Sequence, residues 1–188
     1  MLSKLNFLIK YPEIMNFKTR SLYFKEKMNK RINNNKILSI SIKRSNILMS
    51  SFKQLNKIST NEWMNKITVD FLGEDGIDSG GLTSEWFTLI IKEIFDPKNH
   101  LFKSTENESY QPNPSSSQNK NHIELFKFAG KIIARALIQD QYVNAHLTRS
   151  FIRQILHRQV KFKDLEDFDK DIYKSMNTIK SIQKNETY

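Results

Sequence analysis

Four of the chain's five glycines fall inside one nine-residue stretch, at Gly73, Gly76, Gly80 and Gly81, interleaved with Glu74, Asp75 and Asp78. Glycine at that density permits backbone angles that a Cβ forbids, so the stretch must make a tight turn or a close backbone approach. Its flanks decide what it connects. Before it, Ile67, Val69 and Phe71 alternate with Thr68, Asp70 and Leu72, the period of a half-buried strand. After it, Phe87, Ile90, Ile91 and Ile94 recur on one helical face between Thr83 and Phe95, and Asp96-Pro97 stops the helix. The constraint is a strand-to-helix connection turned by glycine.

Three carboxylates in a glycine loop invite a calcium or magnesium reading, and the spacing opposes it. Glu85 stands twelfth from Glu74, but the acids between are Asp75 and Asp78 and do not alternate as an EF-hand loop requires. A phosphate loop is opposed by the same acids and by the lack of a Gly-Lys-Ser/Thr element. His100, His122, His146 and His157 are dispersed with no metal-ligand spacing. No catalytic, cofactor or metal residue is assigned; the loop glycines read as architecture.

Elsewhere the pattern is mainly helical. Tyr11 to Lys36 reads as a polar helical arm opened by Tyr11-Pro12, with Phe17, Leu22, Phe24 and Met28 as apolar anchors, broken at Asn33 to Asn35. Leu38, Ile40 and Ile42 alternate in a second strand, and Ser45 can cap a helix bearing Leu48, Phe52 and Leu55. Trp63 and Met64 fall in a short helical piece. Lys98 to Asn121 reads as one long mobile loop. A central helix over Ile123 to Gln139 presents Phe126, Ala129, Ile133 and Leu137, with Gly130 and Ala134 allowing close approach of a neighbour. Leu147 to Leu156 reads as helix, Val160 to Phe162 as an extended connector, and Asp169 can cap a last helix carrying Ile172, Tyr173, Met176 and Ile179. The fold class is therefore mainly α with small β elements (α+β).

Charge and cysteine content exclude more than they assign. Residues 1–60 hold 13 Lys and Arg against 2 Glu, so the excess behind the net +10 lies in the first third. Lys18, Arg20, Lys25, Lys27, Lys30, Arg31 and Lys36 could meet phosphates, but no nucleic-acid motif accompanies them, and a solvated helix face is the preferred reading. No run of about 18 apolar residues suggests a membrane span. Cysteine is absent, which removes disulfides, thiolate metal sites and any cysteine nucleophile from this chain. Without a secretory pattern, a cytoplasmic or nuclear location is expected.

The stretch VDFLGEDGIDSGGLTSEWFTLIIKEIF, Val69 to Phe95, resembles the signature of HECT-type ubiquitin ligases, in which a strand enters a G-E-x-G-x-D-x-G-G loop and then an E-W-F helix. KRSNIL at Lys43, LFKFAGKIIARAL at Leu125, LTRSFIRQIL at Leu147 and VKFKDLEDFDKDIYKSM at Val160 follow the same family order, so the resemblance covers about Tyr11 to Lys180. It implies the large subdomain of a HECT N-terminal lobe, with residues 1–10 as a lead-in and 181–188 as a frayed tail. The conjugating-enzyme subdomain and the cysteine-bearing C-terminal lobe are expected beyond Tyr188.

The resemblance implies structural roles for Gly73, Glu74, Gly76, Asp78, Gly80, Gly81, Glu85, Trp86 and Phe87. Asp78 and Glu85 would bond backbone amides near the helix start, and the two aromatics would enter the core. It marks Leu125 as a possible ubiquitin contact, although some members place an aromatic there, and Ser84 stands where the family often has Arg. Implied partners are the rest of the HECT domain, ubiquitin, a ubiquitin-conjugating enzyme and protein substrates, with no cofactor. The alternative is a noncatalytic interaction module derived from the family. The transcript past Tyr188 discriminates the two, since a distant cysteine supports the first and a stop codon the second.

Overall fold

The structure is a computed structural model and describes residues 14–74 and 80–185. Tyr11-Pro12, the loop residues Asp75, Gly76 and Asp78, and the last three residues lie outside the described ones. Backbone contacts divide the chain into two compact units, residues 1–87 with 131–142 and residues 88–130 with 143–188.

In the first unit, α1 (Phe17–Asn29) is capped by the Asn16 side chain, which accepts from Thr19 N at 2.8 Å. Its apolar residues are not the anchors expected. None is buried, and Phe17 is 79% exposed. Two basic side chains of the arm are ion-paired, Lys30 to Glu26 at 3.0 Å within the helix and Lys25 to the sequence-distant Asp140 at 2.8 Å.

Strand β1 (Asn33–Ile42) pairs in parallel with β2 (Asn65–Phe71). Leu38 faces Ile67, Ile40 faces Val69, and Ile42 faces Phe71. Of these only Leu38 escapes full burial, so the alternation read from the sequence does sort one face inward. The asparagine run differs from expectation: it opens the strand instead of breaking the chain, with a register irregularity between Asn33 and Ile37. On Ser41, the backbone N–H and C=O are both taken by the Gln54 side-chain amide. This occupies polar groups that the ladder leaves free.

A parallel pair needs a crossover, supplied by residues 43–64. It contains α2 (Ile47–Leu55), which buries Ile47, Leu48, Ser51 and Leu55. Ser45 does not cap α2; it lies in a 3-10 turn, Arg44–Asn46, that precedes the helix. A second 3-10 turn, Glu62–Met64, seats the buried Trp63.

Helix α3 (Gly81–Phe95) begins in the first unit and α4 (His122–Ile138) ends there. On α4 the buried stripe is Leu125, Phe128, Ala129, Ile132 and Ala136, rotated from the predicted one, and Leu137 is 54% exposed. Both stripes are apolar, so local periodicity does not choose between them. Gly130 meets no atom within 4 Å of an added Cβ, so it does not serve close packing.

In the second unit the predicted loop 98–121 is ordered structure. Strands β3 (Phe102–Ser104) and β4 (Ser109–Pro112) form an antiparallel hairpin, and β5 (His146–Leu147) joins β4 in parallel. Strands of two to four residues are too short to display a period. The hairpin places Phe102 and Tyr110 against Phe95, with ring centroids 4.6 and 4.7 Å apart. Each such pair contributes about 0.5–1.5 kcal/mol beyond its buried area.

Thr148 caps α5 (Arg149–Ile155) by accepting from Phe151 N at 3.3 Å. The expected extended connector becomes a 3-10 turn, Phe162–Asp164, leading to α6 (Leu165–Phe168). Asp164 is buried; it accepts from Lys161 N and from Arg153 Nε, each at 2.8 Å. Those bonds, the backbone one foremost, hold its carboxyl below the usual range. Asp169 caps α7 (Lys170–Asn185) as expected, accepting from Ile172 N at 2.9 Å. No described helix is long and apolar enough to cross a membrane.

Candidate functional site

The motif residues of the first unit converge on one cation, Arg44, in the 3-10 turn that follows β1. Its guanidinium donates through Nε to Glu74 Oε1 at 2.6 Å and through Nη2 to Glu74 Oε2 at 2.8 Å, a bidentate pair. Nη1 donates to Glu85 Oε1 at 2.5 Å. The guanidinium also lies 4.0 Å from the Phe71 ring centroid, stacked where β2 ends. One side chain thus ties the turn after β1, the start of the glycine loop and the first turns of α3.

The hydrogen bonds from Arg44 hold the Glu74 carboxyl below the usual range, and those to Glu74 and Glu85 push the arginine still higher. Glu85 therefore serves α3 by taking a distant guanidinium, where the expected partners were backbone amides. Sequence reading passed over Arg44 itself. It lies in the K-R-S-N-I-L segment, but its partners are 30 and 41 residues away, and no local pattern reports such a pairing.

A lysine cannot form the two-pronged pair. Arg44→Lys is therefore expected to lower the melting temperature, with Glu74→Gln adding little in the double variant. A depressed folded-state pKa on Glu74 gives stability that is complete above the unfolded glutamate pKa of about 4.3 and lost as pH falls through the lower folded value. Arg44→Gln should flatten that part of the acid limb in melts taken between neutral and acid pH. Identical acid limbs in parent and variant would show that the clamp contributes nothing.

Gly73 and Gly80 have φ of +85° and +107°, and Gly81 has no positive φ. Of the three, the two ends of the loop carry the special backbone, and Gly81 is simply the first residue of α3. Trp86 and Phe87 are 0% and 1% exposed, as a core role requires, and Trp86 Nε1 donates to the buried Ser51 hydroxyl at 2.9 Å. Thr83 Oγ1 reaches the Ile67 carbonyl at 3.5 Å. The expectation for Leu125 needs correction: it is 1% exposed, on the same buried stripe as Phe128 and Ala129, and a contact residue must reach solvent. Gly76 and Asp78 lie outside the described residues. Among described residues no group of three or more His, Asp or Glu is placed to share a metal ion, and His122 Nδ1 lies 3.1 Å from Ser116 Oγ. The Arg44 cluster fixes the geometry of the turn after β1, the start of the glycine loop and the start of α3.

The described residues thus form helical units with two small sheets, and α3 carries the exposed Glu85 followed by the buried Trp86 and Phe87. The family model "HECT-domain (ubiquitin-transferase)" matches residues 88–188. The chain belongs to the HECT-domain family. It is 35% identical over 92% of its length to E3 ubiquitin-protein ligase UPL1 of Arabidopsis thaliana, covering 5% of that protein. It is 31% identical over 90% of its length to E3 ubiquitin-protein ligase HUWE1 of Mus musculus, covering 4% of it. Against E3 ubiquitin-protein ligase ptr1 of Schizosaccharomyces pombe the identity is 30% over 94% of the chain and 6% of the relative. The chain thus spans about one-twentieth of the length of these relatives.

Proposed function

We propose that this chain supplies the scaffold of a HECT N-terminal lobe in a ubiquitin ligase, with the ubiquitin-accepting cysteine carried outside these 188 residues. One observation carries the reading. Ile155, Leu156, Ile172, Met176, Ile179 and Ile182, on or beside α5 and on α7, are 45–57% exposed within the second unit. Ile172, Met176, Ile179 and Ile182 repeat at helical spacing along one face of α7, and an exposed apolar stripe of that length marks an interaction face. The rest of the HECT domain is the partner that the family supplies for it.

In the complete enzyme a cysteine thiolate attacks the thioester of the charged conjugating enzyme, whose own thiolate leaves. A substrate lysine amine then attacks the new thioester, forming the isopeptide bond and releasing the cysteine. This chain contributes positions and surfaces to that sequence and no acyl acceptor.

Mixed with activating enzyme, conjugating enzyme, ubiquitin and ATP, the purified chain is expected to form no reductant-sensitive ubiquitin adduct. A reductant-sensitive band on this chain contradicts the proposal. With the cysteine-bearing remainder of a HECT domain supplied as a separate polypeptide, binding is expected, and Ile179→Asp should weaken it about tenfold or more. No binding at all would favour the alternative of a noncatalytic module.

A further inference from the structure

Arg135 on α4 is 2% exposed and incompletely provided for. Within the first unit Nε donates to Gln139 Oε1 at 3.1 Å and Nη2 to the Asn65 carbonyl at 2.5 Å. Nη1 is buried and meets no hydrogen-bond acceptor among the described residues. None of the ion pairs found there includes Arg135. A buried ionised group without a counter-charge is strongly unfavourable. Burial lowers the arginine's pKa, yet a guanidinium remains ionised throughout the physiological range, so the problem is not solved by deprotonation.

Arg135 also lines a pocket of about 190 Å³ whose apolar walls are Trp63, Met64, Ala134 and Ile138. Lys131 lines it too, with Nζ 5.8 Å from the Trp63 ring centroid, and no acidic residue does. With Thr60 completing the lining, two cations, one hydroxyl and four apolar side chains without an acid make a selective environment. A cavity of this size and lining suits one phenyl or branched alkyl group.

We propose that this pocket binds a carboxylate carried on a small apolar group, the carboxylate taken by Arg135 and Lys131 and the apolar group packed against Trp63, Met64 and Ile138. The carboxylate compensates the buried guanidinium, and the walls give the apolar group its burial. Two sources share this chemistry: a free aryl or alkyl acid, and the C-terminal carboxylate of a polypeptide ending in an apolar residue. The site goes beyond the scaffold role and does not depend on it.

The test titrates the full chain with phenylacetate, phenylacetamide, inorganic phosphate and acetyl-Gly-Leu with a free or amidated terminus, following the Trp63 indole resonance by NMR. Saturable shifts with phenylacetate or the free-acid peptide are expected, at least about tenfold weaker with the matching amide and absent with phosphate. Whichever acid binds more tightly identifies the source. Ala134→Leu, at an exposed helical position, should fill the pocket and abolish binding without changing the melting temperature. Arg135→Gln should abolish it as well. Absence of saturation by either acid up to about 20 mM, equal binding of acid and amide, saturable binding of phosphate, or binding that survives Ala134→Leu each overturns the proposal.

Discussion

Trp86→Ala is expected to lower the stability of the chain by about 3 to 5 kcal/mol, the range for an aromatic removed from a filled core. The indole is fully buried on the first turns of α3, its ring centroid 4.8 Å from that of Phe87. Trp86→Phe isolates the polar part of the same contact. It keeps an aromatic in place but removes the Nε1 donor, leaving the Ser51 hydroxyl buried without it, at a cost of about 1 to 3 kcal/mol. Ser51→Ala added to Trp86→Phe should recover part of that loss, because both ends of the bond are then apolar. Urea unfolding of the parent, both single variants and the double variant measures each step. A parent-like midpoint for Trp86→Ala would remove Trp86 from the core.

Gly80→Val is expected to cost about 1 to 3 kcal/mol, and Gly73→Val a similar amount. The cause is conformational, since an added Cβ at either glycine meets nothing within 4 Å while φ is +107° and +85°. Gly81 provides the internal control. It has the same open surroundings without a positive φ and begins a helix, so Gly81→Ala should be neutral or stabilising by about 0.4 to 1 kcal/mol. Thermal melts of the three variants decide this, with Gly80→Val well below the parent and Gly81→Ala at or above it. Calcium or magnesium should leave the parent's midpoint unchanged. A rise in that midpoint with calcium, together with parent-like melting of Gly80→Val, would make the loop a ligand site and not a turn.

Legibility in the sequence followed the range of the interactions. The alternation of Ile40 and Ile42, and of Ile67, Val69 and Phe71, named two strands and their inward faces before any coordinates, because side-chain direction in a strand depends only on position. Parallel pairing was not readable, since register depends on a partner more than twenty residues away. The Asp169 cap was visible because donor and acceptor are neighbours in sequence, whereas Ser45 was displaced by a 3-10 turn with no distinctive residue pattern. The wrong stripe on α4 has a similar cause: Phe126, Ile133 and Leu137 are as apolar as the residues actually buried, and only the packing around the helix chooses between the faces.

By itself, the sequence determined that a strand must turn into a helix through residues 73–81, that Trp86 and Phe87 would be core residues, and that no residue of this chain can hold ubiquitin as a thioester. These follow from composition and local spacing, which require no knowledge of the partner. Tertiary structure alone decided that Gly73 and Gly80 bear the positive φ angles, that Arg44 gathers Glu74 and Glu85, and that Arg135 is buried without a counter-charge among the described residues. Each of these depends on groups brought together across tens of residues, or on a backbone angle set by both flanking elements at once. Such information appears only when the chain has closed on itself.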